Sequence, residues 1–449
     1  MQPWLRRIAC AVVVLVAATS ATAALAEEKR PEQDYGRPKE KTDVGDVLAW
    51  PARVVLFPLY LVNEFVLRRP LGLLVVAVEK HRVVETVRDF FTFGSRDQIT
   101  IYPSALFDFG LLPSVGFNLS WDYFLAEKNA LDVHFGTWGL DWIAIKASSK
   151  YEIAKGEHLG LSTQFWRRRD NPYFGTGPRA SHDDYTRYGS QTFEIAPKYT
   201  RNFGSASYFD TVAGGRGLDF FVGTCCGEPE LSRSLANGLL PSPAGFGRGY
   251  YGGFQRSRLV LDSRKPRPAE GSGVRMDVHE ETMFDLSGKN AGESARSWIR
   301  YGGSLGAALD LNGKNRVVGL TVDAELVDPI QGQVPFTDQV TIGGKGGLMP
   351  GYIRNRLVDR SAVVATLQYS WPVWVYLDGI IQLATGNVWG EHFAGFEPKA
   401  SRLSGSVGVR SNAERDTAFE LTAGVGTDPL DQGFAVSSFR FLIGSNHGL

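Results

Sequence analysis

Long runs in which apolar residues alternate with polar or small ones dominate the last four-fifths of this 449-residue sequence. Every second residue is apolar or aromatic from Val318 to Leu326 in RVVGLTVDAELV, and again from Val363 to Trp371 in AVVATLQYSW. Because successive side chains of a strand point to opposite faces, this alternation predicts strands with one apolar face. Many runs exceed eight residues, whereas strands usually have about five or six and tilted membrane strands need about nine to eleven. The pattern therefore favours strands that cross a membrane.

The connections between these runs also fit a membrane barrel. Tight turns such as 311–315 contrast with the long, glycine-rich stretch 223–252, and short turns with long loops are typical of outer-membrane barrels. A strand in lipid cannot leave backbone groups unpaired, so its sheet must close. We predict an all-β fold, a transmembrane antiparallel β-barrel over residues 94–449, with about 16 strands at roughly 22 residues per strand and connection. A soluble β-sandwich or propeller is the alternative.

The residues before the barrel divide into three segments. Residues 1–26 are typical of a secretory signal peptide: Arg6 and Arg7 precede a short apolar core, and Ala24 and Ala26 supply small residues for cleavage. A single membrane anchor is the alternative for this stretch. Residues 27–45 are polar and predict a disordered linker. Residues 46–93 have apolar residues three and four apart and predict a short amphipathic helical segment, which either lies in a membrane interface or plugs the barrel.

Composition and motifs give no support to several function classes. Basic and acidic residues balance at 48 each, so no basic surplus points to nucleic acid. The seven histidines are scattered without ligand spacing, so we expect no metal or cofactor. GGSLG, residues 302–306, fits the serine-hydrolase pattern, but its surroundings predict a continuing strand and not a nucleophile elbow. We therefore expect no enzyme. Cys225 and Cys226 are either bridged or two free thiols.

One glycine-rich stretch, residues 343–359 (GGKGGLMPGYIRNRLVD), is longer and has more charged residues than a hairpin turn needs. It resembles the inward-folding loop of the BamA/TamA family of outer-membrane barrels, the bacterial surface antigen superfamily. Residues that match the motif are Gly343, Gly344, Gly351, Tyr352, Arg354, Arg356 and Asp359. Pro350 stands where that family has its motif arginine. By this resemblance, we expect Arg354 or Arg356 to take over the contact of that arginine with an acidic partner on the barrel wall.

Further segments resemble the same family in the same order. A turn signature matches at Phe174, Gly175 and Gly177, and a strand-turn-strand signature matches at Asp262, Ser263 and Arg264. A late strand pair matches over residues 376–389. The last strand resembles a C-terminal signal for barrel assembly, with Phe439 and Phe441 as its aromatic residues.

The resemblance implies a Gram-negative outer-membrane protein that inserts or translocates proteins or lipids. Its partners would be outer-membrane lipids and other outer-membrane proteins or assembly machinery. The family's mechanism implies a weak seam between the first and last strands, here near residues 99–107 and 432–443. The stretch before the barrel is too short for the family's periplasmic repeat domains, so we expect them to be missing. A passive porin-like channel and a surface-binding barrel stay open as alternatives.

Overall fold

We describe the protein from a computed structural model. It covers residues 89–204, 206–223, 225–265, 271–287, 296–311, 313–344, 346–374, 377–411 and 419–445. The predicted signal peptide, the linker and the amphipathic segment up to residue 88 lie outside the described residues. Within the described ranges, no helix has the length and apolar character needed to cross a bilayer.

The described chain folds into long antiparallel strands, as the two-residue alternation predicts. The strands that form the barrel are β1 (Ile99–Asp108), β2 (Ser114–Asp122), β3 (Asn129–Thr137), β4 (Trp142–Ala154), β5 (Glu157–Tyr173), β6 (Thr186–Phe203), β7 (Ser207–Phe221), β8 (Tyr250–Asp262), β9 (Gly273–Asp285), β10 (Ser297–Asp310), β11 (Val317–Gln331), β12 (Ser361–Trp374), β13 (Leu377–Trp389), β14 (Arg402–Ser411), β15 (Phe419–Thr427) and β16 (Val436–Ser445). A six-residue helix, α1 (Leu231–Ala236), lies in the connection between β7 and β8.

The sheet closes on itself. Each strand pairs antiparallel with the next in sequence, and β16 pairs with β1 through Leu442, Ile443 and Gly444. The short strand Thr92–Phe93 pairs with the start of β1 and is the seventeenth member of the same sheet. The all-β prediction of an antiparallel barrel with sixteen strands is therefore confirmed for the described residues.

The two ends of the barrel differ. Every connection of more than ten residues leaves the same end, which we call the loop end. These long connections are 174–185, 222–249, 286–296, 332–360 and 390–401. At the opposite end, which we call the turn end, every connection has ten residues or fewer, and both ends of the described chain lie there. This asymmetry matches the expectation from the sequence.

The barrel wall has an apolar outside and a polar inside. On β11, Leu320 and Val322 are exposed on the outer face, whereas Glu325 points into the lumen and contacts His279 at 2.7 Å. The same outward alternation recurs around the barrel. The exposed residues on the outer face include Val115, Phe117, Ile145, Leu159, Leu161, Phe193, Ile195, Leu305, Leu367, Ile381, Leu383, Val407, Val425 and Phe439.

Charged side chains fill the lumen along β6 to β9. Arg216 is 8% exposed and donates to Glu194 at 3.0 Å and to both carboxylate oxygens of Glu281 at 2.7 and 2.8 Å. Arg256 donates to Glu281 at 2.6 Å. Buried charges need such partners, because desolvation of an unpaired ion is costly. The wall is therefore cross-linked from inside by ion pairs between neighbouring strands and, from Arg216 to Glu281, across β8.

Two smaller features flagged in the sequence have clear positions. Ser304 lies in the middle of β10, directly opposite Asp277 on one side and Asp323 on the other. This is not the strand-to-helix turn that a nucleophile elbow requires. Cys225 and Cys226 are joined by a disulfide in the connection between β7 and β8.

Truncation of Arg216 tests the lumen ion pairs. Arg216→Ala leaves Glu194 and Glu281 with only Arg256, whose side chain is 42% exposed, as their cation. We therefore expect a loss of about 3 kcal/mol in the free energy of unfolding. Arg201→Ala is the control, because the Arg201 side chain is 61% exposed and 3.7 Å from Glu157, and its loss should stay within about 1 kcal/mol. Denaturant titration followed by tryptophan fluorescence measures both. Equal losses would show that the lumen pairs do not stabilise the wall.

Candidate functional site: the inward loop and the closing strand pair

The longest connection of the loop end, residues 332–360, is named the inward loop because it returns into the barrel. Two short strands, Val340–Ile342 and Leu357–Asp359, pair antiparallel at its base. The tip between them carries the glycine-rich motif. Gly343 has φ of 103°, and a Cβ there would lie 2.2 Å from the carbonyl oxygen of Ile353. Only glycine fits this turn, because the backbone is left-handed and the opposite strand is too close.

Tyr352 anchors the tip to the lumen side of β14 and β15. Its side chain is completely buried. The hydroxyl accepts the Thr427 N–H at 2.8 Å, and the carbonyl oxygens of Thr427 and Leu403 lie at 2.6 and 3.0 Å to accept its proton. A Cβ on Gly426 would lie 2.3 Å from the Tyr352 ring. The wall is therefore shaped at Gly426 to receive this ring.

Backbone groups of the tip are held by wall side chains. The Gly351 N–H donates to Ser404 Oγ at 2.8 Å, and Ser438 Oγ donates to the Gly351 carbonyl at 2.9 Å. Arg440 of β16 donates to the Pro350 carbonyl at 3.2 Å. These bonds attach the tip to β14 and β16 at one level of the lumen. The loop thus contacts the last strand of the barrel directly.

Arg354 and Arg356 extend from the tip toward the opposite side. Arg354 lies over the Trp166 ring of β5, with its guanidinium carbon 4.8 Å from the ring centroid. Arg356 is 1% exposed, donates to the Ala180 carbonyl at 3.0 Å and lies 4.7 Å over Phe174. Burial lowers the pKa of each arginine to about 10, so both stay protonated at neutral pH. The loop therefore crosses the lumen from β14–β16 to β5.

Neither arginine takes over the expected ion pair. Among the described residues, no carboxylate lies within ion-pair distance of Arg354 or Arg356. Asp359 accepts the backbone N–H of Arg360 at 2.7 Å, and burial raises its pKa. The loop has proline and not arginine at position 350. An arginine of the wall, Arg440, instead donates a hydrogen bond to the Pro350 carbonyl.

The predicted turn at Phe174 belongs to the same site. Gly175 and Gly177 have φ of 92° and 107°, and the Gly177 N–H donates to the Val358 carbonyl of the inward loop at 2.9 Å. Phe174 stacks on Tyr185 and receives the Arg356 guanidinium on its ring. Two segments that are far apart in the sequence are therefore brought together.

The other predicted motif residues lie away from the loop. Asp262 accepts two bonds from Arg264 at 3.0 and 2.7 Å at the turn end, and Ser263 Oγ donates to Val274 O at 3.1 Å. They fix a local turn between β8 and β9. Phe439 and Phe441 project outward from β16 and face Phe109 and Phe107 at ring distances of 6.0 and 6.5 Å.

The closing strand pair, β1 and β16, is joined by few backbone hydrogen bonds. Among the described residues, which end at Ser445, three residue pairs are in register: Leu106–Gly444, Phe107–Ile443 and Asp108–Leu442. The Phe109 N–H adds one bond to the Phe441 carbonyl at 2.8 Å. The remaining β1 edge has few open donors. The Ile101 N–H bonds the Phe91 carbonyl at 2.9 Å, and Pro103, two residues on and facing the same side, has no N–H.

A buried ion pair reinforces this closure. Arg440 of β16 donates to both carboxylate oxygens of Asp108 of β1, at 2.8 and 2.7 Å. Their side chains are 4% and 7% exposed. We call Asp108 and Arg440 the closing ion pair. Since Arg440 also bonds Pro350, one guanidinium joins the first strand, the last strand and the inward loop. No local pattern in the sequence indicates this pair, because its two members are 332 residues apart.

A cluster on the outer rim of the loop end has the donor set of a metal site. Ligand atoms of Asp328, Glu391 and His392 lie within 4.8 Å of one another. Arg360, however, donates to Glu391 at 2.8 Å and to Asp328 at 3.1 Å. A guanidinium therefore already supplies the positive charge that a cation would bring.

Comparison with known proteins agrees with this geometry. No protein-family model matches the sequence, and no curated protein matches it either. Among solved structures, BamA from Haemophilus ducreyi lacking POTRA domains 1–3 matches with a TM-score of 0.53 and 12% identity, over 78% of this chain and 70% of that chain. CdiB from Acinetobacter baumannii and from Escherichia coli match with TM-scores of 0.48 and 0.45 and identities of 11% and 9%. They cover 78% and 77% of this chain, which spans 60% and 62% of theirs.

The fold and the site thus define a closed, sixteen-stranded antiparallel barrel whose longest loop folds inward. Its fold is that of a BamA-like barrel, as the resemblance in the sequence implied.

Gly426→Ala tests how the inward loop is seated. The new Cβ would collide with the Tyr352 ring, and such overpacking costs about 1–3 kcal/mol. We expect amide hydrogen exchange across residues 348–360 to rise about tenfold, because 1.4 kcal/mol corresponds to that factor. Gly405→Ala on β14 is the control, since its Cβ would lie 3.6 Å from Leu383 in ordinary contact. Unchanged exchange in the Gly426 variant would show that the tip is not held there.

Arg440→Ala tests the closing ion pair. It leaves Asp108 buried without a cation, so we expect a loss of about 3–5 kcal/mol and faster hydrogen exchange in β1 and β16. Replacing both Asp108 and Arg440 by Ala should cost less than Arg440→Ala alone, because no buried charge is then left unpaired. A double variant as unstable as the sum of the two single variants would contradict this account.

Proposed function

We propose that this protein is a non-enzymatic outer-membrane barrel that takes part in the insertion or translocation of proteins or lipids. The apolar outer face supports the membrane location. Side chains such as Leu320, Val322 and Leu383 are 53%, 45% and 59% exposed, and a band of such residues around a closed sheet suits hydrocarbon and not water. The long loops would then face outward from the cell and the turns inward, as in other barrels of this type.

The closing strand pair is the observation that carries the proposed activity. Within the part of the chain that the structure describes, three residue pairs join β16 to β1, whereas thirteen join β12 to β13. Strand edges seek partners, so a wall that opens at one position can offer backbone groups to an incoming strand or let a lipid pass sideways. The tip of the inward loop contacts this junction through Arg440. Opening of the junction would therefore change a contact of the loop inside the lumen.

A passive channel is disfavoured by the same loop. Arg354 and Tyr352 attach the tip to opposite sides of the lumen, so the loop obstructs the path that a porin keeps open. Loss of uptake of a solute, with outer-membrane proteins and lipids unchanged, is the phenotype that would identify a channel instead.

A disulfide across the seam tests the proposal in cells depleted of the native protein. Phe107 and Ile443 are directly opposite in β1 and β16, so Phe107→Cys with Ile443→Cys can form a bridge. The variant, with Cys225 and Cys226 replaced, should not restore the outer-membrane protein and lipid content under oxidising conditions, and reductant should rescue it. Cysteines in place of Val322 and Ala365, directly opposite in β11 and β12, are the matched control and should restore it throughout. Full restoration by the seam-bridged barrel would refute the proposal.

A further inference from the structure

A group of polar side chains, which we call the outer polar cluster, interrupts the outer face of the barrel. It consists of Thr211 of β7, Gln255 and Ser257 of β8, and Glu280 and Thr282 of β9. The residues that alternate with them, Phe254 and Met283, are 3% and 0% exposed on the lumen side. The cluster therefore points away from the lumen.

Hydrogen bonds connect the members of the cluster. Gln255 Nε2 donates to Glu280 Oε1 at 2.6 Å and to Ser257 Oγ at 2.6 Å. The hydroxyls of Ser257 and Thr211 are 3.0 Å apart. Among the described residues, no lysine, arginine or histidine forms an ion pair with Glu280. The carboxylate thus has amide and hydroxyl donors but no countercharge.

Glu280 lies within the apolar band and not at its rim. On the same face of β9, Val278 toward the turn end and Phe284 toward the loop end are 48% and 50% exposed. On β8, Leu259 and Tyr251 bound Gln255 and Ser257 in the same way. An ionisable side chain at membrane depth is costly, so such a residue usually marks a functional site with a partner.

A groove of about 490 Å³ adjoins the cluster on this face. Ser257 and Glu280 line it, together with the apolar side chains of Phe209, Leu259, Val278 and Leu326. Gly303 and Ala324 also line it, and neither has a side chain larger than a methyl group. Small residues at a membrane interface let another backbone approach closely. Arg258 and His279 also border it, but their side chains bond Asp277 on the lumen side. The groove therefore combines an apolar trough with one carboxylate.

We propose that the groove and the outer polar cluster dock a membrane-embedded segment of a partner protein that carries a lysine or arginine. Charge complementarity selects this occupant: a segment seated over Gly303 and Ala324 extends its cation to Glu280, which has none of its own in the described structure. A lipid chain would fill the apolar trough but would leave the carboxylate uncompensated. The inference rests on the proposed membrane location and is independent of the seam.

Binding of model peptides to the barrel in phosphatidylcholine nanodiscs tests the inference. Two labelled 21-residue leucine–alanine peptides are compared, identical except for a central lysine or norleucine, and their affinities are measured by energy transfer. We expect the lysine peptide to bind the full-length protein about tenfold more tightly, a factor equivalent to about 1.4 kcal/mol. Glu280→Gln keeps a hydrogen-bonding side chain but removes the charge, and it should abolish this preference.

Glu420→Gln is the matched control. Glu420 of β15 also accepts a bond from a threonine two residues on, Thr422, at 2.9 Å, but it lies on the lumen face with Gly424 and Gly426, which contact the inward loop. This variant should keep the full preference for lysine. Equal affinity for both peptides, or a preference that survives Glu280→Gln, would overturn the docking site. A barrel that fails to enter the nanodiscs would overturn the membrane location as well, so the two failures are distinguishable.

Discussion

Closure of the sheet between β16 and β1 is the interaction on which the rest of the structure depends. A barrel in hydrocarbon has no water to satisfy an open edge, so sixteen strands are stable there only if the last meets the first. In the described residues, that junction consists of three residue pairs in register, one further backbone bond from Phe109 to Phe441, and one buried ion pair, Asp108 with Arg440. The wall is thus weakest in backbone pairing at the position where it is held by charge.

The inward loop and the junction form one unit because of Arg440. The resemblance in the sequence implied an arginine on the loop that reaches an acidic residue on the wall. The structure has the reverse arrangement, with the arginine on the wall and the loop offering the Pro350 carbonyl. The ion pair that remains, with Asp108, lies across the junction itself. Movement of the loop tip and opening of the wall therefore both change the hydrogen bonds of the Arg440 guanidinium.

The sequence was sufficient for the architecture but only in part for the site. Alternation such as that from Val318 to Leu326 depends only on neighbouring residues, so strands and their apolar faces could be predicted, and the length of the 223–252 connection marked the loop end. The closing ion pair could not, because nothing near Asp108 or Arg440 indicates a partner 332 residues away. The same holds for Gly426, whose need for glycine comes from Tyr352, and for Glu280, which looks like any strand carboxylate until its face is known.

If hydrocarbon lies outside this wall and water inside it, cysteine scanning along β11 will detect both environments on alternate residues. Single cysteines from 318 to 326, in a protein without Cys225 and Cys226, are labelled with a fluorophore after reconstitution into vesicles. Even-numbered positions should be quenched by nitroxide lipids, and odd-numbered positions such as Thr321 and Asp323 only by a water-soluble quencher. Quenching without a two-residue alternation, or with only the aqueous reagent effective at every position, would contradict the account.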